Sequence, residues 1–575
     1  MGSLSRRSFL LGAGVAGAGM IGGGLAACAP ASPSANAAHA PEGLAESGNG
    51  EPAFLQIAPI DEAAITETID ADVVVIGMGL AGTAAFRAAA EEGLTVVGVE
   101  KTEGVCGRSS DFAYFNTEKA REIGIKDVDV PELVNELMRE MNHRADARIL
   151  TTWARHAGEA LDWYVEPYEG FMFVSGWDTA PTDEAQVFGI NGDYYVGGTP
   201  PYDMYDPKRD HERTYSATLE FNPDGHLPVL QANYETAVKS GNATAYFGCA
   251  GRQLMVENGR VIGAIIEDMK EGTYRKVHAS KGVILATGGY SFNDDMIGHY
   301  LPWVAGELSA YKRAHAHLDV KGNPVDQGEG IVMGHGAGAK IEGGPHCALA
   351  HSILGSLGVN AHLQLNAEGE RYINEDLTID HFSVAVMNQP KNTIYQIFDA
   401  TYADTAARAQ SGIGTFHQVP EKTIESIDEW TAAKGETVEE LVANLGVSDE
   451  VASKMVASIA RYNELCEKGV DEDFGKCPDR LFPVSTPPFY AVRFSPEEAA
   501  EGRAALRMLT TMSGLVTDPN ANCLDENDDP IPGLYAVGNV QGGRFVISYP
   551  CTVAGASHSM ALTYGYLTGK HMAEL

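Results

Sequence analysis

An apolar run meets three spaced glycines in Asp72–Lys101, DVVVIGMGLAGTAAFRAAAEEGLTVVGVEK, and nothing else in the chain narrows the fold as far. Val73, Val74, Val75 and Ile76 predict a strand, and Gly77-x-Gly79-x-x-Gly82 follows with no residue between. The pattern then predicts a helix over 81–92, a second strand over 95–99, and an acid, Glu100. Strand, glycine turn, helix, strand and acid stand in the order a dinucleotide site needs. Gly77 permits the tight turn, and Gly82 lets helix and strand pack closely. Gly79 lets the backbone approach a pyrophosphate at the positive end of the helix dipole. Ala81 opens the helix beside them. Glu100, next to Lys101, can accept both hydroxyls of an adenosine ribose. The expected ligand is FAD or NAD.

A chain of 575 residues can bury more than one core. Its formal net charge of −37 argues against nucleic acid and anionic membrane surfaces as partners, because both would repel it. The same charge favours solubility and suits a basic protein partner; a merely solvated acidic surface has the same composition. The eight cysteines include no CxxC, so the usual iron–sulfur and zinc spacings are missing and no metal site is expected. Without CxxCH there is no covalent haem. Cys466 and Cys477 can be a disulfide or two thiols, and the sequence leaves this open.

Residues 1–28 read as an address. Ser5-Arg6-Arg7-Ser8-Phe9-Leu10 looks like a twin-arginine export signal, with a Gly- and Ala-rich apolar segment behind it. Leu25-Ala26-Ala27-Cys28 resembles a lipobox, with Cys28 as the lipidated first residue of an extracytoplasmic, membrane-anchored protein. Ordinary cleavage after Ala38-His39-Ala40 is the alternative. Residues 29–68 read as a tether, rich in Ala, Pro, Ser and Gly over its first half.

The first domain is expected over 69–295. Its loop Gly104–Ser110 carries small residues, and Gly107, Arg108, Ser109 and Ser110 are candidates for backbone contact with a cofactor. Residues 131–163 look helical. Aromatics crowd the stretch from Trp163 to Tyr215 among Gly, Pro and Asp, which suits a substrate entrance or a packed surface insertion. Gly259–Glu267 and Lys281–Tyr290 read as strands, the second ending in Ala286-Thr287-Gly288-Gly289, where backbone can again meet a cofactor. Residues 296–484 lack this pattern, contain helical stretches (Glu439–Leu445, Asp449–Cys466) and read as a second, inserted domain. Residues 485–575 return to the first domain through Gly533–Asn539, with Gly538 and Asn539 facing the cofactor.

Four ordered pieces, the Gly77/Gly79/Gly82…Glu100 fingerprint, ATGGYSFN (Ala286–Asn293), GERYINE (Gly369–Glu375) and GLYAVGN (Gly533–Asn539), resemble the flavoprotein superfamily of fumarate reductase and succinate dehydrogenase. The resemblance covers residues 70–575. It implies an α/β protein: a discontinuous Rossmann-type FAD-binding domain with an inserted α+β capping domain. It also implies FAD, and hydride passed between flavin and carbon while a protein acid or base handles the proton.

The departures narrow the chemistry. Soluble fumarate reductases of this superfamily place an arginine where this chain has Ile379, a histidine where it has Thr510, and an arginine where it has Thr552. A buried dicarboxylate without its cations is costly, so fumarate is not expected as substrate. Ser548-Tyr549-Pro550, Ala554-Gly555 and Thr563–Leu567 instead look like the end of 3-ketosteroid Δ1-dehydrogenases, where a tyrosine before proline lies beside the flavin. The resemblance makes Tyr549 the first catalytic candidate, donating to a developing enolate oxygen. His351 falls near the family's active-site histidine, with His346 competing for the role. Asp380 or His381 would supply the proton in place of the missing arginine. Arg544 can hold a substrate carboxylate or a flavin carbonyl.

The expected function is an exported FAD-dependent oxidoreductase. It reduces a C=C bond conjugated to a carbonyl in an organic acceptor during anaerobic respiration: an aryl acrylate, an enone or a steroid-like molecule. Electrons would come from a c-type cytochrome or a quinol-linked protein. A ketosteroid-type dehydrogenase running oxidatively is the alternative.

Overall fold

The computed structural model describes residues 51–575 except 109–110, 114, 123–126, 169–193, 197–217, 222–224, 303–310, 314–316, 355–361, 377–378, 403–404, 406–426, 428–430, 501–504, 551–552 and 554. Five parallel strands form its centre. In chain order they are β1 (Ile65–Ile76), β2 (Val96–Glu100), β3 (Ala243–Phe247), β4 (Thr273–Leu285) and β5 (Pro530–Ala536), and across the sheet they run β5-β4-β1-β2-β3. Strand Asn522–Leu524 adds an antiparallel edge, and the hairpin Cys249–Glu257/Arg260–Asp268 pairs with the first half of β4. The fold is thus the mixed α/β sheet of a Rossmann-type domain.

The run Val73–Ile76 is buried because both faces of the sheet are covered. Side chains alternate across the pleat: Val73 and Val75 enter one core, Val74 and Ile76 the other. The first core is roofed by helix α1 (Leu80–Glu91) and helix α2 (Ala556–Glu574). These two helices touch backbone to backbone. A Cβ on Gly565 would lie 2.2 Å from Ala81 O, and one on Gly569 would lie 2.6 Å from Ala85 O. β5 and α2 come from the end of the chain, so the sheet closes around everything between.

A second sheet of four strands is drawn from the middle of the chain: Leu363–Asn366, Ile394–Asp399, Phe489–Phe494 and Ala433–Gly435. One of these strands comes from beyond residue 485. One face of the sheet packs on helix Asp449–Lys468 through Met455, Ile459, Tyr462 and Leu465. The other face sends Ile394, Phe398, Tyr490, Val492 and Phe494 into the second core of the parallel sheet.

GERYINE lies here and holds an ionic knot. Arg371 pairs with Glu375 and with Asp471, at 2.8 Å in each case, and Lys476 reaches Glu375 at 3.2 Å with both side chains fully buried. Burial opposes ionisation of Asp471, but Arg371 and the amides of Lys476 and Phe474 outweigh it and hold the carboxyl at about 2.

The expected helix over 131–163 is two helices, Val130–Glu140 and Ala147–Val165. Asn142 and His143 between them adopt positive φ, and Asp146 caps the second helix by accepting from Arg148 N–H. Cys466 and Cys477 are free thiols. Most of the aromatic-rich stretch 163–215 lies outside the described residues. No helix among the described residues is long and apolar enough to cross a membrane.

Candidate active site and cofactor cradle

The three glycines of the turn do different work. Gly77 has φ +97°, and a Cβ there would sit 2.4 Å from Ala286 O; one on Gly82 would sit 1.8 Å from Gly77 O. These two positions are closed by backbone. Gly79, the N-cap of α1, meets only Cys106 O at 3.5 Å, and Gly104 meets nothing within 4 Å. An open bare α-carbon at a helix N-terminus, that of Gly79, fits the close approach of a pyrophosphate. Glu100 is buried; it accepts from Met78 N–H at 2.8 Å and from Thr102 N–H at 2.9 Å. Its carboxylate therefore braces the turn and keeps lone pairs for a ribose. These residues fit FAD, which supplies hydride chemistry when bound.

The other predicted cofactor residues gather around this turn. Lys101 pairs with Glu329 at 2.5 Å, and Arg108 with Asp326 at 2.7 Å. Burial pushes the Asp326 carboxyl up although Arg108 pulls it down. Gly107 O accepts from His317 Nε2 at 3.0 Å, and Arg108 O accepts from His226 Nε2 at 3.1 Å. Ala286 N–H bonds Ile76 O at 2.8 Å, which places Ala286–Gly289 beside the glycine turn. Gly288 has φ +75°, and Thr287 Oγ1 is buried with no hydrogen-bond partner among the described residues. A Cβ on Gly289 would meet Thr511 Oγ1 at 2.3 Å, and one on Gly538 would meet Ala81 Cβ at 3.1 Å. Gly555 packs on the Phe112 backbone and starts α2. Ser109, Ser110 and Ala554 lie outside the described residues.

The catalytic candidates fall into two groups. Tyr549 is buried; its hydroxyl accepts from Ser557 N–H at 3.2 Å in the first turn of α2, and its ring lies 5.1 Å from Phe545. Arg544 is fully buried beside Phe545. It donates from Nε to Gln541 O at 3.1 Å and from Nη2 to Asn539 Oδ1 at 3.2 Å. Asn539 donates onward to Thr510 Oγ1 at 3.1 Å. Arg544 Nη1 has no hydrogen-bond partner among the described residues. Burial draws the guanidinium down to about 10, against the pull of Glu342. The second group stands on other elements. His351 lies on strand Ala348–Leu354, opposite Arg507, and helix Ile379–Met387, carrying Asp380 and His381, packs against that strand. The described structure of His351 and Asp380 is their backbone; Thr552 lies outside the described residues.

His346, the competitor of His351, is fully buried. Its Nε2 donates to Glu342 O at 2.8 Å, so Nδ1 accepts from Tyr290 OH at 2.7 Å. Burial lowers its pKa to about 4, and its ring stacks on Tyr300 at 4.3 Å. Both ring nitrogens are thus engaged and the imidazole is held neutral. Sequence reasoning missed Glu342, whose carboxylate accepts from Gly514 N–H and Gly543 N–H and so holds the loop that carries Arg544. It also missed His226, His317 and Asp326. A lone acid or histidine far along the chain gives no periodic or spacing signal.

Sheet, turn and acid define a Rossmann-type FAD-binding protein. The chain belongs to the FAD binding domain family, whose sequence pattern matches residues 72–551, and it is an FAD-dependent oxidoreductase. It is 25% identical over 520 residues to a fumarate reductase (cytochrome) of Shewanella frigidimarina, covering 88% of this chain and 77% of that one. It is 26% identical over 528 residues to a vinyl phenol reductase of Lactiplantibacillus plantarum, covering 88% and 96%. The fold matches the 3-ketosteroid-Δ4-(5α)-dehydrogenase of Rhodococcus jostii RHA1 with a TM-score of 0.67 and 22% identity, covering 90% of this chain and 100% of that one.

Proposed function

We propose that this protein reduces a C=C bond conjugated to a carbonyl in an organic acceptor of the aryl acrylate, enone or steroid-like class. The observation that carries the reading is Thr510. Where fumarate reductases of the superfamily put a cationic carboxylate ligand, this chain has a neutral hydroxyl already engaged by Asn539 at 3.1 Å. Together with Ile379 and Thr552 it removes the cations a dicarboxylate needs. Likeness to a vinyl phenol reductase supports reduction of a C=C bond in a substrate that is not a dicarboxylate.

In this reading Tyr549 holds the substrate carbonyl. An O–H whose oxygen accepts a backbone N–H is a stronger donor, and Ser557 N–H provides that polarisation. Asp380 or His381 delivers the proton to the α-carbon, and residues 296–484 cap the site. Electrons come from an external carrier such as a c-type cytochrome or a quinol-linked protein. The chain is exported through its twin-arginine signal and anchored at a lipidated Cys28. A ketosteroid-type dehydrogenase is the second reading, favoured by the Tyr549-Pro550 segment.

The test is anaerobic. The reduced holoenzyme is mixed with fumarate, urocanate, cinnamate-type acids, plant enones and 3-ketosteroids, and flavin reoxidation is followed. A cinnamate-type acid, enone or ketosteroid acting as oxidant supports the reading, and fumarate as the best oxidant overturns it. Reduction of the oxidised enzyme by a saturated ketosteroid, with no acceptor active, supports the second reading. With the acceptor found, Tyr549→Phe is expected to lower kcat by about a hundredfold with little change in melting temperature.

A further inference from the structure

We propose that His226 and His317 are positioning residues for FAD: they grip two consecutive carbonyls of the loop that follows Glu100 and thereby set the direction in which its backbone donors face. The loop is held from two sides. On one side lies the turn 317–329. Its His317 Nε2 donates to Gly107 O at 3.0 Å, and Val320 N–H donates to Lys101 O at 3.1 Å. Asp326 pairs with Arg108 at 2.7 Å, and Glu329 with Lys101 at 2.5 Å. On the other side His226, just before helix Leu227–Lys239, donates from Nε2 to Arg108 O at 3.1 Å.

A peptide unit is planar and trans, so its N–H points opposite to its C=O. With Gly107 O turned to His317, the Arg108 N–H is turned away from His317. The bond to Arg108 O holds the second carbonyl from the other side. A carbonyl only accepts, so His226 must carry its proton on Nε2, and Nδ1 then accepts from Tyr164 OH at 2.9 Å. Tyr164 thus fixes the tautomer that the grip requires. Burial lowers the His226 pKa to about 3, so this pattern is unchanged at neutral pH.

The grip also accounts for Gly107. A Cβ there would lie 2.7 Å from His226 Cε1 and 2.8 Å from Nε2, so the imidazole sits against a bare α-carbon. The ring also meets Phe112 edge-on at 5.2 Å and lies 5.7 Å from the ring of His558 in α2. The histidine therefore stands where the cofactor loop, the strand after it and the last helix converge.

The test uses purified holoenzyme and reads FAD release on dilution together with the flavin reduction potential. His226→Phe keeps a ring and removes the donor; it should release FAD about three- to tenfold faster, the size of one lost buried hydrogen bond, and shift the potential. His226→Gln, which keeps a donor, should restore both. His317→Leu and Tyr164→Phe should move both readouts in the same direction. Leu230→Ala removes packing against the same glycine but no hydrogen bond; it should lower the melting temperature and leave the potential unchanged. The proposal is overturned if His226→Phe leaves release rate and potential at their original values, or if it matches Leu230→Ala in every readout. Should His226→Phe fail to fold, Tyr164→Phe and His317→Leu decide in the same way.

Discussion

Around the parallel sheet, layers meet through missing side chains. Gly82, Gly565 and Gly569 bring backbones closer than a single Cβ allows. Beside the four-stranded sheet, layers meet through buried charge, with Arg371, Glu375, Asp471 and Lys476 joined at 2.8–3.2 Å. Both regions carry a family fingerprint, yet they fail differently. A steric contact tolerates no enlargement and is indifferent to pH. An ionic knot tolerates no lost partner and depends on every group keeping its charge.

The largest effect should come from the steric side. Gly82→Val puts atoms where Gly77 O stands, 1.8 Å from the Cβ position, and is expected to abolish soluble yellow protein in expression trials. Gly79→Ala, at the open position, should fold and lose FAD affinity in a fluorescence titration. This separates packing glycines from the cofactor glycine. Next, Arg371→Ala leaves Asp471 buried without its cation and Glu375 with Lys476 alone; urea unfolding should show a loss of about 3–5 kcal/mol.

Acid should then distinguish the two regions without mutation. Asp471 is held at about 2 in the folded protein, below its ordinary value near 3.9. A carboxyl depressed in this way stabilises the fold above the unfolded pKa, and that stability is lost as pH falls from about 4 through 2. Melting followed by circular dichroism should therefore decline over that window, and Asp471→Asn should flatten the decline. The smallest effect is Arg461→Ala, which breaks an exposed pair with Asp473 at 2.8 Å beside the same knot; its melting temperature should match the parent.

The part of the steric half that lies in the glycine turn was legible in the sequence because its contacts are local, whereas the contacts of Gly565 and Gly569 with α1 were not. Gly77, Gly79, Gly82 and Glu100 lie within one βαβ unit, and the alternation of Val73–Ile76 follows from the pleat. The ionic half and the histidine grip were not legible. Arg371 and Asp471 are 100 residues apart, His226 and Arg108 are 118 apart, and His317 and Gly107 are 210 apart. Single residues at such separations carry no periodicity. The break between helices at Asn142–His143 was missed for a different reason: neither Gly nor Pro marks it, and two polar residues absorb the positive φ instead. Tyr549 was placed by resemblance and Arg544 by its nearness to the expected flavin site; their surroundings depend on α2 and Glu342, which no local pattern announces.

The contact of Gly565 and Gly569 with α1 has a consequence for biosynthesis. Ala81 leaves the ribosome about 480 residues ahead of Gly565, which at ordinary elongation rates is roughly half a minute to a minute and a half. Throughout that time the small apolar face of α1, with Ala81, Ala84, Ala85 and Ala88, has no α2 to cover it, and β4 has no β5 beside it. The nucleotide half of this protein is therefore made first and finished last. The packed form of the nucleotide-binding sheet, with α2 on α1 and β5 on β4, exists only once the last residues of the chain have been made.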